Sequence, residues 1–218
     1  MTVVSVNVGT PKQVLVGDRT VLTSIFKSPV DARVAVRRHN IDGDRQADLT
    51  VHGGPYKAVY GYPSEHYRFW TEQLPDVELA PGNFGENLTT EGLAEEEVHV
   101  GDQFRVGSAV LQVTQPRMPC FKLGIRFGRP DMVKRFWQSR RPGFYFSIVE
   151  EGNVAAGDPI ERTMRAPDGI SIADVVALSL GDDKSPELVE RALRAPLFGG
   201  WKEQIREHFD SFPGLIPG

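Results

Sequence analysis

The stretch Val98-His99-Val100-Gly101-Asp102-Gln103-Phe104-Arg105-Val106, continued by Ala109-Val110-Leu111-Gln112-Val113-Thr114, decides the fold. Valine and aromatic residues recur in short runs, and Gly101-Asp102 stands where the backbone must reverse. Runs of this composition between turn residues read as strands: Val98 to Val100, Gln103 to Val106 and Ala109 to Thr114. The pattern extends outward in both directions. Val3 to Val8, Gln13 to Val16, Val21 to Phe26, Ala58 to Tyr62, Phe144 to Val149 and Pro159 to Thr163 read as further strands. Gly-Asp recurs in Val16-Gly17-Asp18 and Ala156-Gly157-Asp158, each between two strand-like runs, which suggests hairpins. Many short strands with frequent turns make residues 1–166 a mainly β domain, a barrel or a sandwich.

Helices interrupt this region twice. Ser64 is placed to cap a helix over Glu65 to Gln73. Asp131 to Gln138 also reads as helical, with a stop at Pro142-Gly143. The character changes after Pro167-Asp168-Gly169. Ser171 is a cap for a helix through Leu180, ended by Gly181. Ser185-Pro186-Glu187 is a cap, a first-turn proline and an acidic first turn for a helix to about Arg194. A last helix covers Trp201 to Phe209, where Trp201, Ile205 and Phe209 align as one apolar stripe. Residues 167–218 therefore form a C-terminal three-helix module. It is marginal as an independent fold, so it packs on the β domain, a second copy or a partner. The stripe makes a homodimer one expectation.

Composition narrows the function classes. The chain has 218 residues, 40% of them apolar and 25% charged, as in ordinary globular proteins. The net charge of -4 lacks the basic excess of a nucleic-acid binder. One cysteine forbids an internal disulfide and suits a reducing compartment. The first residues lack the basic and apolar regions of a signal peptide. No run approaches the ~20 apolar residues of a membrane helix. The expectation is a cytoplasmic protein.

Gln115-Pro116-Arg117-Met118-Pro119-Cys120-Phe121-Lys122 is the most informative segment for chemistry. It follows a strand, and two prolines hold it out of regular structure. Cations such as Arg117 and Lys122 favour a thiolate, the form that attacks or ligates metal. The alternative is that Cys120 is a small buried apolar residue. In His52-Gly53-Gly54-Pro55-Tyr56-Lys57 the glycines permit close backbone approach, Lys57 could hold a phosphate, and His52 could donate to one. In Gly82-Asn83-Phe84-Gly85-Glu86-Asn87-Leu88 the Asn83 and Asn87 amides could meet a heterocycle edge, or simply make local turns. No zinc spacing, Rossmann or P-loop fingerprint is present. The basic clusters Arg37-Arg38-His39 and Lys134-Arg135 with Arg140-Arg141 read as solvated faces, with an anionic pocket or a redox partner as the alternative.

Taken in order, Gly43-Asp44-Arg45-Gln46-Ala47-Asp48, His52-Gly53-Gly54-Pro55 with Lys57, Gly82 to Leu88, Val100-Gly101-Asp102 and Gln115 to Cys120 resemble the MOSC-domain family, and within it the YiiM-type subgroup. The resemblance implies a closed β-barrel of the pyruvate-kinase barrel-like type with a three-helix tail. It implies molybdopterin-bound molybdenum as cofactor, with Cys120 as metal ligand and catalytic residue. Lys57, Asn87 and Arg117 would line the pocket, joined by His52, Asn83 and Lys122 as further binding residues. Tyr56 departs from the family pattern, where a carboxylate is common. The implied activity is reduction of N-hydroxylated compounds such as hydroxylaminopurines, amidoximes or hydroxamic acids. One cysteine cannot hold an iron–sulfur cluster by Cys ligands alone, so electrons would come from a separate reductase or ferredoxin-like partner. The rival readings are a cofactor or sulfur carrier without turnover, a metal-free thiol enzyme using His52 as base, and an interaction protein built on the tail.

Overall fold

A computed structural model describes residues 1–47, 54–183 and 185–210. Among these, thirteen strands occur in chain order: β1 (Thr2–Val8), β2 (Lys12–Val16), β3 (Arg19–Thr23), β4 (Ser28–Pro29), β5 (Val34–Arg37), β6 (Asn40–Ile41), β7 (Val59–Pro63), β8 (Leu88–Glu91), β9 (Gln103–Val106), β10 (Ala109–Pro116), β11 (Phe144–Glu150), β12 (Gly152–Val154) and β13 (Ile160–Met164). Six helices accompany them: α1 (Glu65–Gln73), α2 (Phe121–Phe127), α3 (Met132–Gln138), α4 (Ile172–Leu180), α5 (Pro186–Arg194) and α6 (Gly199–Asp210).

Eight strands form one sheet in the order β13-β9-β10-β11-β7-β8-β1-β4. Neighbours are antiparallel except β7 and β8, where Gly61 to Pro63 lie parallel to Leu88 to Thr90. Parallel neighbours need a crossover, and α1 with the loop after it supplies one. The sheet curls until β13 reaches β1. Thr2 bridges Pro159, Val3 N donates to Asp158 O at 2.9 Å, and Ile160 N donates to Met1 O at 2.9 Å. The expected closed barrel is met in part: the fold is a mixed, sheet-dominated one, and this seam is a single bridge with flanking bonds. A three-stranded sheet, β12-β5-β6, and the separate β2-β3 hairpin complete it.

The largest core cluster runs without a break from the sheet into the tail. Val6, Phe104, Leu111 and Phe146 share it with Ile172, Val175, Leu178, Trp201, Ile205 and Phe209. The apolar stripe of α6 is therefore spent inside the chain, with the Trp201 and Trp137 rings 6.1 Å apart. Burial of such a stripe is what stabilises a short helix. A second cluster, rich in aromatic rings, joins Tyr60, Tyr62, Trp70, Phe84 and Phe136. Among the described residues no helix is long and apolar enough to cross a membrane.

Several sequence expectations need correction. Val98 to Val100 is not a strand; it is a turn in which His99 makes an isolated bridge to Ser171. Its valines are buried, so the apolar run marks core contact and not extended pairing. Ser64 does not cap α1: its backbone is already helical and its hydroxyl makes no capping bond. Ser171 does cap α4, accepting from Asp174 N at 3.0 Å, and Gly181 ends that helix in the left-handed region at φ 73°. Helix α2 lies outside the expected helices, because the two prolines before it read as holding that segment out of regular structure.

Candidate active site

Strand β10 delivers the chain to Arg117, Met118, Pro119 and Cys120, and α2 begins at the next residue. Cys120 occupies the N-cap position of α2 in an extended conformation, and its carbonyl accepts from Leu123 N at 2.9 Å. The loop seen in sequence thus ends at the cysteine, which a helix start holds in place. The thiol is half-buried and lines a cleft.

Arg117 lies beneath it, 5% exposed. The guanidinium carbon is 4.8 Å from the Tyr60 ring centre and 5.1 Å from that of Phe136, a cation held over aromatic faces. Its Nη1 donates to the Tyr60 hydroxyl at 3.4 Å, and that hydroxyl donates to Pro142 O at 2.7 Å. Burial opposes the charge, but Tyr60, Tyr145 and Cys120 outweigh it and raise the Arg117 pKa above its ordinary value. The backbone is pinned as well, since Arg117 N donates to Gly143 O at 3.3 Å.

Across the cleft a second group is built on Asp44. Its carboxylate pairs with the Lys27 ammonium and accepts from Gly9 N at 2.8 Å and from Asn87 Nδ2 at 3.0 Å. Burial lowers the Lys27 pKa, with Asp44 opposing that shift. Asn87 is tied further, its Oδ1 accepting from Tyr60 N at 3.1 Å. Asn87 therefore lines the cleft and holds Asp44 and the β7 strand together.

Lys57 and Lys122 also line the cleft. Burial lowers the Lys57 pKa. Asn83 does not line it: its amide oxygen accepts from Arg126 Nη2 at 2.6 Å, and it is buried. The Gly82 to Leu88 loop is shaped by Glu86 instead. That buried carboxylate accepts from the Tyr67 hydroxyl, Gly82 N at 2.7 Å, Phe84 N at 3.1 Å and Thr89 Oγ1 at 2.9 Å. Burial raises its pKa. His52 lies outside the described residues. Arg135 and Arg140 face Asp131 and Asp182 on the surface and do not reach the cleft.

Sequence reading missed Lys27, Arg45, Tyr60 and Tyr145, all of which line the cleft. Lys27 and Tyr60 sat beside or within ordinary strand-like runs, with no local signal. Gly43-Asp44-Arg45 was noticed as a motif, yet only tertiary contact shows that Asp44 faces Lys27. Counted among the described lining residues, Lys27, Arg45, Lys57, Arg117 and Lys122 face a single carboxylate, Asp44. The cleft is cationic in a chain whose net charge is -4. The buried hydroxyl of Ser24, on the same wall, has no hydrogen-bond partner among the described residues. Such a site favours an anionic ligand with oxygen or nitrogen acceptors.

A family model described as the MOSC domain matches residues 48–161. Uncharacterized protein YflK of Bacillus subtilis (strain 168) is 43% identical over 209 residues, 95% of this chain and 94% of that protein. A protein named Reductase from Gibberella moniliformis is 31% identical over 196 residues, 88% of this chain but 35% of that protein. The crystal structure of YiiM from Geobacillus stearothermophilus superposes with a TM-score of 0.78 at 34% identity, covering 95% of this chain and 98% of that one.

Proposed function

Because the chain belongs to the MOSC-domain family, which is associated with binding of the molybdenum cofactor, we propose that it is a molybdenum cofactor-dependent reductase of N-hydroxylated compounds. The observation that carries this reading is the placement of the single cysteine on a cleft whose described lining residues include five cations and one carboxylate. Among the described residues no group of three or more His, Cys, Asp or Glu side chains could hold a bare metal ion. A lone thiolate beside several cations instead fits a metal that arrives on an anionic organic carrier. We also infer that the curled sheet is a barrel closed at the β1-β13 seam. The name of the Gibberella relative is consistent with reductase chemistry, although this chain spans about a third of it.

Each residue would have a definable task. Cys120 would ligate the metal through its thiolate. Lys57, Lys122 and Arg45 would hold the phosphate and other acceptors of the carrier by charge-assisted hydrogen bonds. Arg117, rigid between two aromatic rings, would keep a fixed positive charge beside the thiolate. The bound group would supply the two-electron redox chemistry that breaks the N–O bond, while the protein orients and tunes it. In sum, an N–OH compound, two electrons and two protons yield the N–H compound and water. The Asp44-Lys27-Asn87 clasp would hold the opposite wall.

The test compares wild type with Cys120→Ser, both produced in a cofactor-competent host. Molybdenum content near one per chain in wild type and far less in the variant is expected, with loss of 6-hydroxylaminopurine reduction. A fully active Cys120→Ser protein would overturn the reading. Stoichiometric metal without turnover on any N-hydroxylated compound would point to a carrier. The metal-free thiol enzyme needs a base beside Cys120. The base named for it, His52, lies outside the described residues.

A further inference from the structure

We propose that Glu95 is a positioning residue for the candidate active site: from outside the cleft its carboxylate fixes the Pro142-Gly143 turn, and through that turn it holds the Arg117 guanidinium beside Cys120. This rests on the reductase reading above only for the reaction it serves. A buried carboxylate is costly unless it is bonded, so its partners matter. Glu95 is 3% exposed. Its Oε1 accepts from Gly143 N at 2.9 Å. His66 Nε2, on α1, lies 2.9 Å from Oε1 and 2.7 Å from Oε2. Glu95 and His66 line a second cleft with Ser139 and Arg141, apart from the one that Cys120 lines.

The supports of Arg117 converge on this turn. Gly143 O accepts from Arg117 N at 3.3 Å, and Pro142 O accepts from the Tyr60 hydroxyl at 2.7 Å. That hydroxyl in turn receives Arg117 Nη1 at 3.4 Å. Two adjacent residues thus set both the backbone and the guanidinium of Arg117. Gly143 is buried and lies in the left-handed region at φ 64°. Without the Glu95 carboxylate its N–H would be a buried donor with nothing to receive it, which favours movement of the turn. Arg117 and Cys120 interact electrostatically. A displaced guanidinium therefore weakens the support of the thiolate. Glu95 also serves the tail, where its carbonyl accepts from Ala173 N of α4 at 3.0 Å. That is a backbone bond, and a side-chain substitution leaves it in place.

The first measurement uses the cofactor-free full chain and iodoacetamide, which reports on Cys120 because it is the only cysteine. At neutral pH, Glu95→Ala should slow alkylation about fivefold as the thiolate loses support. Glu95→Gln should react at close to the wild-type rate, because its amide oxygen can still accept from Gly143 N. On an Arg117→Met background, Glu95→Ala should cause no further loss, since its effect runs through Arg117. Cofactor-loaded Glu95→Ala should keep its molybdenum and its KM for 6-hydroxylaminopurine while kcat falls about tenfold, as for a small misplacement of a charged group. Urea midpoints separate these effects from unfolding. If Glu95→Ala does not fold, Glu95→Asp takes its place, with the charge kept and the reach to Gly143 N shortened. Wild-type alkylation in the folded Glu95→Ala or Glu95→Asp protein, an equal loss in Glu95→Gln, a full further loss on Arg117→Met, or a change confined to KM would overturn the positioning role. Slowed alkylation in Glu95→Ala, with no turnover by loaded wild type, would overturn the reductase reading and leave the positioning of Arg117 standing.

Discussion

Asn87 Nδ2 donates to Asp44 Oδ2 at 3.0 Å, and this bond joins two loops 43 residues apart beneath the candidate active site. Asp44 is the acceptor for an ammonium, an amide side chain and a backbone N–H at once. The buried lysine beside it depends on that carboxylate.

Asp44→Ala should therefore be costly. It leaves Lys27 as a buried charge without its partner, a change worth about 3–5 kcal/mol. Urea unfolding checks this. Replacing the pair together, with Lys27→Met and Asp44→Ala, should recover part of the loss because no uncompensated charge remains. A single-variant loss below about 1 kcal/mol would show that the clasp is not structural.

Anion binding should weaken with rising pH earlier than an ordinary lysine would dictate. Burial lowers the Lys57 pKa from 10.5. The protonated, anion-holding form exists below that lowered value and is lost as pH rises through it. Calorimetric titration of cofactor-free protein with inorganic pyrophosphate should show affinity falling in alkaline buffer. Lys57→Arg should carry the affinity to higher pH, because arginine stays charged. If both proteins lose affinity at the same pH, the titrating group lies elsewhere.

Gly143→Ala should be among the more damaging single changes, and Gly17→Ala among the milder at a turn. Both glycines have positive φ, 64° and 56°. A Cβ at Gly143 would lie 2.4 Å from Gly61 O and 2.9 Å from a Tyr62 ring atom, whereas nothing stands within 4 Å at Gly17. Gly17→Ala should cost only the left-handed backbone term of about 1–2 kcal/mol. Gly143→Ala adds a backbone clash and disturbs the carbonyl that receives Arg117 N. Thermal melts of the two variants should separate clearly. Equal melting points would contradict the packing at Gly143.

The tail should be indispensable to the fold. Trp201→Ala removes a buried ring from the shared core and should cost about 3–5 kcal/mol. Removing residues 170–218 would uncover β10 residues that now face α4, and the truncated chain should aggregate or melt at much lower temperature. A truncated chain with the full-length urea midpoint would refute a shared core.

Much of the architecture was legible because it is written in local chemistry. The valine- and aromatic-containing runs of β1, β10 and β11 need only local strand preference to be understood. Ser171 and Gly181 mark the ends of α4 through capping and left-handed backbone freedom, which neighbouring residues alone decide. The short strands β4, β5, β6, β8 and β12 were not anticipated, because two to four residues carry too little periodicity. Val98 to Val100 misled for a related reason: an apolar run states that residues are buried and leaves open whether they are paired.

The site divides along the same line. Arg117, Cys120 and Lys122 stand within six residues of one another, so the sequence alone placed cations near a thiol, and a prolyl loop near both. Folding added Lys27, Asp44, Arg45, Tyr60 and Tyr145, and it withdrew Asn83 to a partnership with Arg126. Those assignments depend on which distant segments meet across the cleft, and on desolvation that only burial creates. Composition marks a residue as charged or apolar. Whether Lys27 meets a carboxylate, or the stripe of α6 meets a core, is set by the packing of the whole chain.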